Sequence, residues 1–521
     1  MKKFCCALLL LCAVLWTTVP VRADDELLRE QLRLSVITGE DTDIGAYDLT
    51  IEEAETLYLQ MYYGGQLPWY ADGGYSYYYT EETGIVNEFQ GGQLDPLRYD
   101  RDLYEQKLAE LMAESCLAGM TDWQKALSVH EYIALHTAYD DRYQNFEGYD
   151  SLVHGSAVCS GYSLLYMDVL NRLGIPCQMI AVPDTGDGEG HGWNLVQLDG
   201  QWYHVDVTWD DPSSDIYGRV SHVNFLKTDE EFRVVEEGIE AHDFPWESSV
   251  AVAEVSYTQD DFLENVDSAI CFVDVDTVVF RIEEDYSNRV VSRNLTTGEE
   301  TTLYSFDKRG MDLGDGEYFY PTCGLNFWNG RLYFNEEDQV LSMLPDGSDV
   351  QTVYSYDVDE RYVIGAMADQ GVLYLTLSDK DFLVESMEVP LEGVEFHRHS
   401  YELLTESATC QRDGFSKMIC QCGLSYNETV LEQVEHKMEI TKLIEPTSEE
   451  SGEICHTCSY CGYETREILP PLEISLWERI LGRILYSSWL DRLIVVGIAV
   501  PLVWILRSLG RAGRRKRSRS R

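Results

Sequence analysis

The segment from Val158 to Pro212 constrains this chain more than any other. It carries Cys159-Ser160-Gly161-Tyr162-Ser163, then His191-Gly192-Trp193-Asn194, then Trp202-Tyr203-His204-Val205-Asp206-Val207-Thr208-Trp209-Asp210-Asp211-Pro212. After Cys159, the apolar residues Tyr162, Leu164, Leu165, Met167, Val169, Leu170 and Leu173 recur at helical spacing until Gly174-Ile175-Pro176 stops the pattern. The spacing predicts a helix that begins at Cys159. Unpaired N–H groups and the helix dipole at such a start favour a thiolate, the reactive form of cysteine.

Cys177 to Val182 reads as a strand. Gly192 to Leu198 and Gln201 to Val207 read as two more, joined by Asp199-Gly200, a two-residue hairpin signal. With that turn Leu198 pairs with Gln201 and His191 falls opposite Thr208. Asp206 then lies diagonal to His191 on the same face, about 7–8 Å away along the backbone. The other face, with Val196, Leu198, Tyr203, Val205 and Val207, is a core face. Cys159, His191 and Asp206 are thereby placed as nucleophile, base and orienter. Each alone suits a blander role, a small buried thiol or a satisfied sheet histidine. The three in this order, on a helix start and a hairpin, favour catalysis. His204 sits two residues from the carboxylate inside the strand and reads as a core or supporting histidine.

These motifs resemble the transglutaminase-like superfamily, whose motifs are a Cys at a helix start, a His-x-Trp-Asn strand and a Trp-Tyr-x-Val-Asp-x-Thr-Trp strand. The resemblance covers roughly Asp122 to Trp246. It implies a papain-like fold with Cys159, His191 and Asp206 as the triad. Gly192 departs from the Ala usual after the His.

Composition bounds the rest. The chain has 521 residues, 39 basic against 91 acidic side chains and a net charge of -52. Much of the basic charge lies at the two ends, so the acidic body is unsuited to binding nucleic acid or an anionic membrane surface by charge. Residues 1–23 have the form of a signal peptide: Lys2 and Lys3, an apolar run from Phe4 to Trp16, and Ala23 before Asp24-Asp25. Residues 24–121 read as helices, a second one around Thr50 to Tyr63, an aromatic strand-like segment from Pro68 to Tyr79, and a long helix with Leu103, Leu108, Leu111 and Met112.

Residues 122–250 form the expected catalytic domain, with a helix from Trp123 to Ala134 behind the cysteine helix. The loops Arg142–Gly155 and Asp184–Gly190 are expected as cleft walls. Residues 256–400 change to short alternating strands, a β-rich module with propeller-like repeats. The fold class is therefore α+β: a papain-like, transglutaminase-like core, then the β-rich module, then small Cys-containing repeats.

Those repeats occupy residues 408–469. Ala408-Thr409-Cys410, Gly414 and Cys420-Gln421-Cys422-Gly423 recur as Glu445-Pro446-Thr447, Gly452 and Cys455-His456-Thr457-Cys458-Ser459-Tyr460-Cys461-Gly462. They resemble small repeats near the C-termini of secreted proteins of Gram-positive bacteria. Two readings stand: disulfides, which suit an oxidising compartment, or zinc held by Cys420, Cys422, Cys458 and Cys461. An amphipathic helix over 474–490, a transmembrane helix over 491–509 and a basic cytoplasmic tail over 510–521 close the chain. Leu493 to Leu506 alone falls short of the about 20 residues that span a bilayer.

The expectation is an exported bacterial enzyme, anchored in the cell membrane by one helix, with its catalytic domain outside. It would transfer acyl groups from amide bonds of peptides or proteins, cell-wall peptide among the candidates, and needs no cofactor. Hydrolysis is preferred. Protein-glutamine crosslinking and non-catalytic adhesion are the alternatives.

Overall fold

The computed structural model describes residues 3–6 and 25–472, apart from 183–189, 213–214, 234–245 and shorter stretches between 247 and 449. The signal-peptide assignment, apart from a strand over Lys3–Cys6, lies outside these residues, as do the Asp184–Gly190 wall (save Gly190) and the membrane segments after 473. Among the described residues no helix is long and apolar enough to cross a membrane. The chain divides into two compact units. One runs to Glu402 and includes Met418–Asn427; the other comprises Leu403–Lys417 and the residues from Glu428.

The N-terminal region builds helices α1 (Asp25–Thr38) and α2 (Ile51–Tyr63), a hairpin of β1 (Ala71–Tyr79) and β2 (Val86–Gln93), and helix α3 (Arg101–Ser115). Helix α2 starts where Thr50 and Glu53 form a reciprocal capping box. Leu32, Tyr58, Met61, Phe89 and their neighbours give this layer its own core. Helix α3 docks on the cysteine helix, because Tyr104 Oη donates to Asp168 at 2.9 Å and Arg172 grips Glu105 and Asp168.

Helices α4 (Asp122–His136) and α5 (Cys159–Arg172) pack beside the strands β3 (Cys177–Val182), β4 (His191–Leu198) and β5 (Gln201–Val205), a sheet in sequence order. A second capping box, Thr121 with Gln124, starts α4; caps of this kind stabilise by about 1 kcal/mol. Helix α5 ends in a Schellman turn. Gly174 takes φ +81°, its N–H donates to Asn171 O and that of Ile175 donates to Leu170 O. Asp199 and Gly200, at φ +50° and +80°, make the tight hairpin turn and pair Leu198 with Gln201.

Strand β5 is shorter than its pattern predicts. It stops at Val205, and Val207–Asp210 form one helical turn, α6, capped by Asp206. The cause is non-local. Asp210, fully buried, bonds His130 Nε2 at 3.0 Å through one oxygen and accepts from Asn224 N and Nδ2 through the other. These partners outweigh the β propensity of Val207 and Thr208.

The β-rich region contains three larger antiparallel sheets and a two-stranded one, Met311–Gly314 with Glu317–Phe319, between the first two of them. The first spans strands from Cys271 to Asp307, the second from Leu325 to Ser355 and the third from Arg361 to Pro390. No closed barrel or propeller forms among the described residues, where propeller-like repeats were expected. Nor is this region self-contained. Val278, Phe280, Val290, Leu325 and Phe334 belong to the same buried cluster as Leu127, Ile133, Tyr162 and Val205.

Beyond α6 the chain plugs into these sheets. The carbonyl of Gly218 accepts from both Ala269 N and Leu325 N, and Tyr217 N donates to Thr376 Oγ1. Gly218 has φ +82°, and a Cβ there would lie 2.6 Å from Ala366 O and 2.7 Å from Leu325 N. Only glycine suits both the backbone and the gap.

Candidate active site

Cys159 is the first residue of α5, after Val158 in extended conformation. The loop before it is folded onto the helix start. Asp140 accepts from the N–H groups of Arg142, Gln144 and Asn145, Val158 N donates to Asn145 O, and Ser160 Oγ donates to Phe146 O. Gly161 permits this approach, because a Cβ there would lie 2.5 Å from Ala157 Cβ and 2.9 Å from Glu147 O.

His191 opens β4, a strand locked to α5 by Ser163 Oγ donating to Gly192 O and by Asn194 Nδ2 donating to Ser163 O. Its Nε2 lies 2.5 Å from Asp206 Oδ2. Asp206 is fully buried, and its other oxygen accepts from Trp209 N at 3.1 Å. The His191 ring also hydrogen-bonds the Cys159 sulfur. With Nε2 engaged by the carboxylate, Nδ1 is the nitrogen left to face the thiol.

Burial disfavours a charged His191. The Asp206 carboxylate and the Cys159 sulfur outweigh it and push the imidazole up to about 10. The rings of Trp193 and Trp209 lie 5.7 and 5.2 Å from the His191 ring. They keep water from the pair, which strengthens its electrostatics.

The structure thus brings Cys159, His191 and Asp206 together. The carboxylate comes from a helix cap instead of the strand diagonal. His204 is turned elsewhere: it is fully buried, its Nδ1 accepts from Trp193 Nε1, and its Nε2 meets Asp229 Oδ1 at 2.8 Å. Sequence reasoning missed the supporting parts played by Asn194 and Ser163. Asn194 stands within the quoted His-Gly-Trp-Asn run, but its helix partner is set only by tertiary packing.

The zinc set read from the sequence is not the cluster that forms. Cys420 lies 3.0 Å from His397 Nε2, and Cys422 is outside the described residues. Cys458 and Cys461 converge with Cys410 and His436. Cys116, Cys159, Cys177, Cys271, Cys410, Cys420, Cys455, Cys458 and Cys461 are all thiols, so the disulfide reading finds no bridge among them.

A family model described as the transglutaminase-like superfamily matches residues 110–207. Human Kyphoscoliosis peptidase is 30% identical over 121 residues, covering 20% of this chain and 18% of that protein. The chain therefore spans less than a fifth of that relative's length. Among solved structures, one titled as a TGase is 18% identical with a TM-score of 0.19, covering 24% of this chain and 41% of the other. A putative cysteine protease from Cytophaga hutchinsonii is 13% identical with a TM-score of 0.18, covering 26% and 61%. Scores this low carry no argument about the fold.

Proposed function

Starting from a transglutaminase-like superfamily domain at residues 110–207, we propose that this protein is a cysteine-dependent acyl-transfer enzyme that hydrolyses amide bonds of peptides or proteins. The observation that carries the reading is the doubly engaged His191, bonded to Asp206 on one side and to the Cys159 sulfur on the other. A charged imidazole beside a sulfur at a helix start favours attack by that sulfur.

The Cys159 thiolate attacks the carbonyl carbon, a C–S bond forms, and the carbonyl π electrons move to oxygen. The N–H of Cys159 and its neighbours in the first turn face that oxyanion, a contribution of about 3–4 kcal/mol per donor where measured elsewhere. His191 gives its proton to the amide nitrogen as the C–N bond breaks, leaving a thioester. Water then attacks, with His191 taking its proton, and the acid departs as the thiolate returns. Asp206 holds the imidazole orientation throughout.

The exported, membrane-anchored placement with a cytoplasmic basic tail is part of the same proposal, and it rests on the sequence of both termini. The three sheets read as blade-like units beside the catalytic domain.

The test is iodoacetamide labelling of Cys159 in the whole protein from pH 5 to 9, mapped by mass spectrometry, beside His191→Ala. Labelling near pH 6 that disappears in the variant supports the pair. Labelling only above about pH 8, the pH range of an ordinary thiol, and equal in both proteins would remove the proposal.

A further inference from the structure

The second compact unit has little apolar burial to hold it together. Its strands Met438–Ile444, Gly452–Cys458 and Glu464–Leu469 form a three-stranded antiparallel sheet. Ile440, Leu443 and Ile468 on that sheet are 60%, 55% and 74% exposed. None of the buried apolar clusters among the described residues contains a residue beyond Leu391. Small units without a core need a staple, and a metal is one of the few available.

Four ligand atoms converge in this unit. The sulfurs of Cys410, Cys458 and Cys461 and a ring nitrogen of His436 all lie within 4.8 Å of one another. Cys410 Sγ and Cys458 Sγ are 3.9 Å apart, and Cys461 Sγ is 3.4 Å from His436 Nδ1. A tetrahedral zinc with its usual bond lengths has sulfur–sulfur edges of about 3.8 Å and sulfur–nitrogen edges of about 3.6 Å. The two spacings match a sulfur–sulfur and a sulfur–nitrogen edge of that tetrahedron.

The backbone around the cluster is shaped to match. Cys458 to Cys461 form a tight turn in which Gly462, at φ +75°, donates to Cys458 O. The N–H groups of Tyr460 and Cys461 hydrogen-bond the Cys458 sulfur. Ser459 N donates to Lys437 O, which fixes the His436 segment against the turn, and Val434 N donates to Thr409 O, which brings Cys410 to it.

We propose that Cys410, His436, Cys458 and Cys461 form a closed, four-coordinate zinc site that joins one Cys repeat to the next. The first repeat supplies Cys410, the connection supplies His436, and the second repeat supplies the Cys458–Cys461 pair. The sequence repeats three of these four positions: His397 stands 39 residues before His436, Cys420 stands 38 before Cys458 and Cys422 stands 39 before Cys461. His397 and Cys420 are already paired at 3.0 Å. The residue 38 before Cys410 is Val372, so that earlier copy lacks the sulfur a preceding repeat would give. With all four positions taken by protein, the site is structural, not catalytic.

Zinc content of the whole purified protein tests this, beside Cys410→Ser, His436→Ala and Cys458→Ser. The expected result is one zinc per chain, with binding weakened at least about tenfold in each variant. Cobalt loaded in its place should show the absorption of a tetrahedral thiolate site, and chelation should open residues 403–472 to protease in the wild type alone. Two results overturn the proposal: a disulfide from Cys410 to Cys458 or Cys461 in the zinc-free protein, mapped without reduction, or zinc retained at full stoichiometry in Cys410→Ser and Cys458→Ser.

Discussion

His191 Nε2 and Asp206 Oδ2 stand 2.5 Å apart, and the other oxygen of Asp206 is held by the backbone N–H of Trp209. Both carboxylate oxygens are committed, so the carboxylate cannot rotate away from the imidazole. Asp206→Asn should therefore keep the fold and lose the tautomer. Losses of about 10³–10⁴-fold follow when an orienting aspartate of this kind is replaced. The check is the rate of Cys159 alkylation at pH 6, and of turnover once a peptide substrate is found, with circular dichroism unchanged.

Stability should fall with alkaline pH more steeply than in an ordinary domain. Burial opposes charge on His191, but Asp206 and Cys159 raise it from 6.5 to about 10. Burial likewise opposes charge on His130, but Asp210 and Glu131 raise it to about 9. Both are raised above their unfolded value, so their contribution is complete below about pH 6.5 and lost as pH climbs through 9 and 10. The urea midpoint should drop between pH 7 and pH 10, and His191→Gln should reduce that drop. An equal drop in the variant would remove His191 as a cause.

Gly161→Ala should disturb the nucleophile without touching it. The added methyl meets Ala157 Cβ at 2.5 Å and Glu147 O at 2.9 Å, so the 140–157 loop must shift off the helix start. Overpacking of this kind costs about 1–3 kcal/mol. Thermal unfolding should show the loss, and Cys159 labelling should slow at a temperature where the variant is still folded.

Gly218→Ala should act far from the cysteine. It combines a left-handed backbone, φ +82°, with a Cβ closer than 3 Å to three backbone atoms. The expected cost is about 1–3 kcal/mol from backbone strain alone, measured as a lowered urea midpoint. Protease cleavage near 213–220 should appear first, because the plug leaves the sheets before the cores open.

The parts of the site written in local sequence were legible. The helix start at Cys159, the Gly174 stop, and the Asp199-Gly200 turn with its register all follow from spacing and turn chemistry. The Val207–Asp210 turn did not, because β-branched residues read as strand while the buried bonds of Asp210 to His130 and Asn224 come from distant segments. The Cys/His cluster of the last unit was hidden for a similar reason. Comparison within each repeat selects Cys420 and Cys422, whereas the side chains that converge with Cys458 and Cys461 are Cys410 and His436, which lie across the repeat boundary. The repetition of His397 at His436 was the signal that could have found it.

The Gly218 plug separates two ideas of a boundary. The family-model match ends at Val207, yet the polypeptide that carries Asp206 is anchored eleven to twelve residues later among residues some fifty to a hundred and sixty positions downstream. A gene fragment stopping at residue 250 would strip the partners from Gly218 and leave one side of the shared core facing water. The catalytic segment is thus not a portable cassette: any chimera that transplants it must bring the sheets along, and lineages that lost them would have had to invent a new anchor for the aspartate.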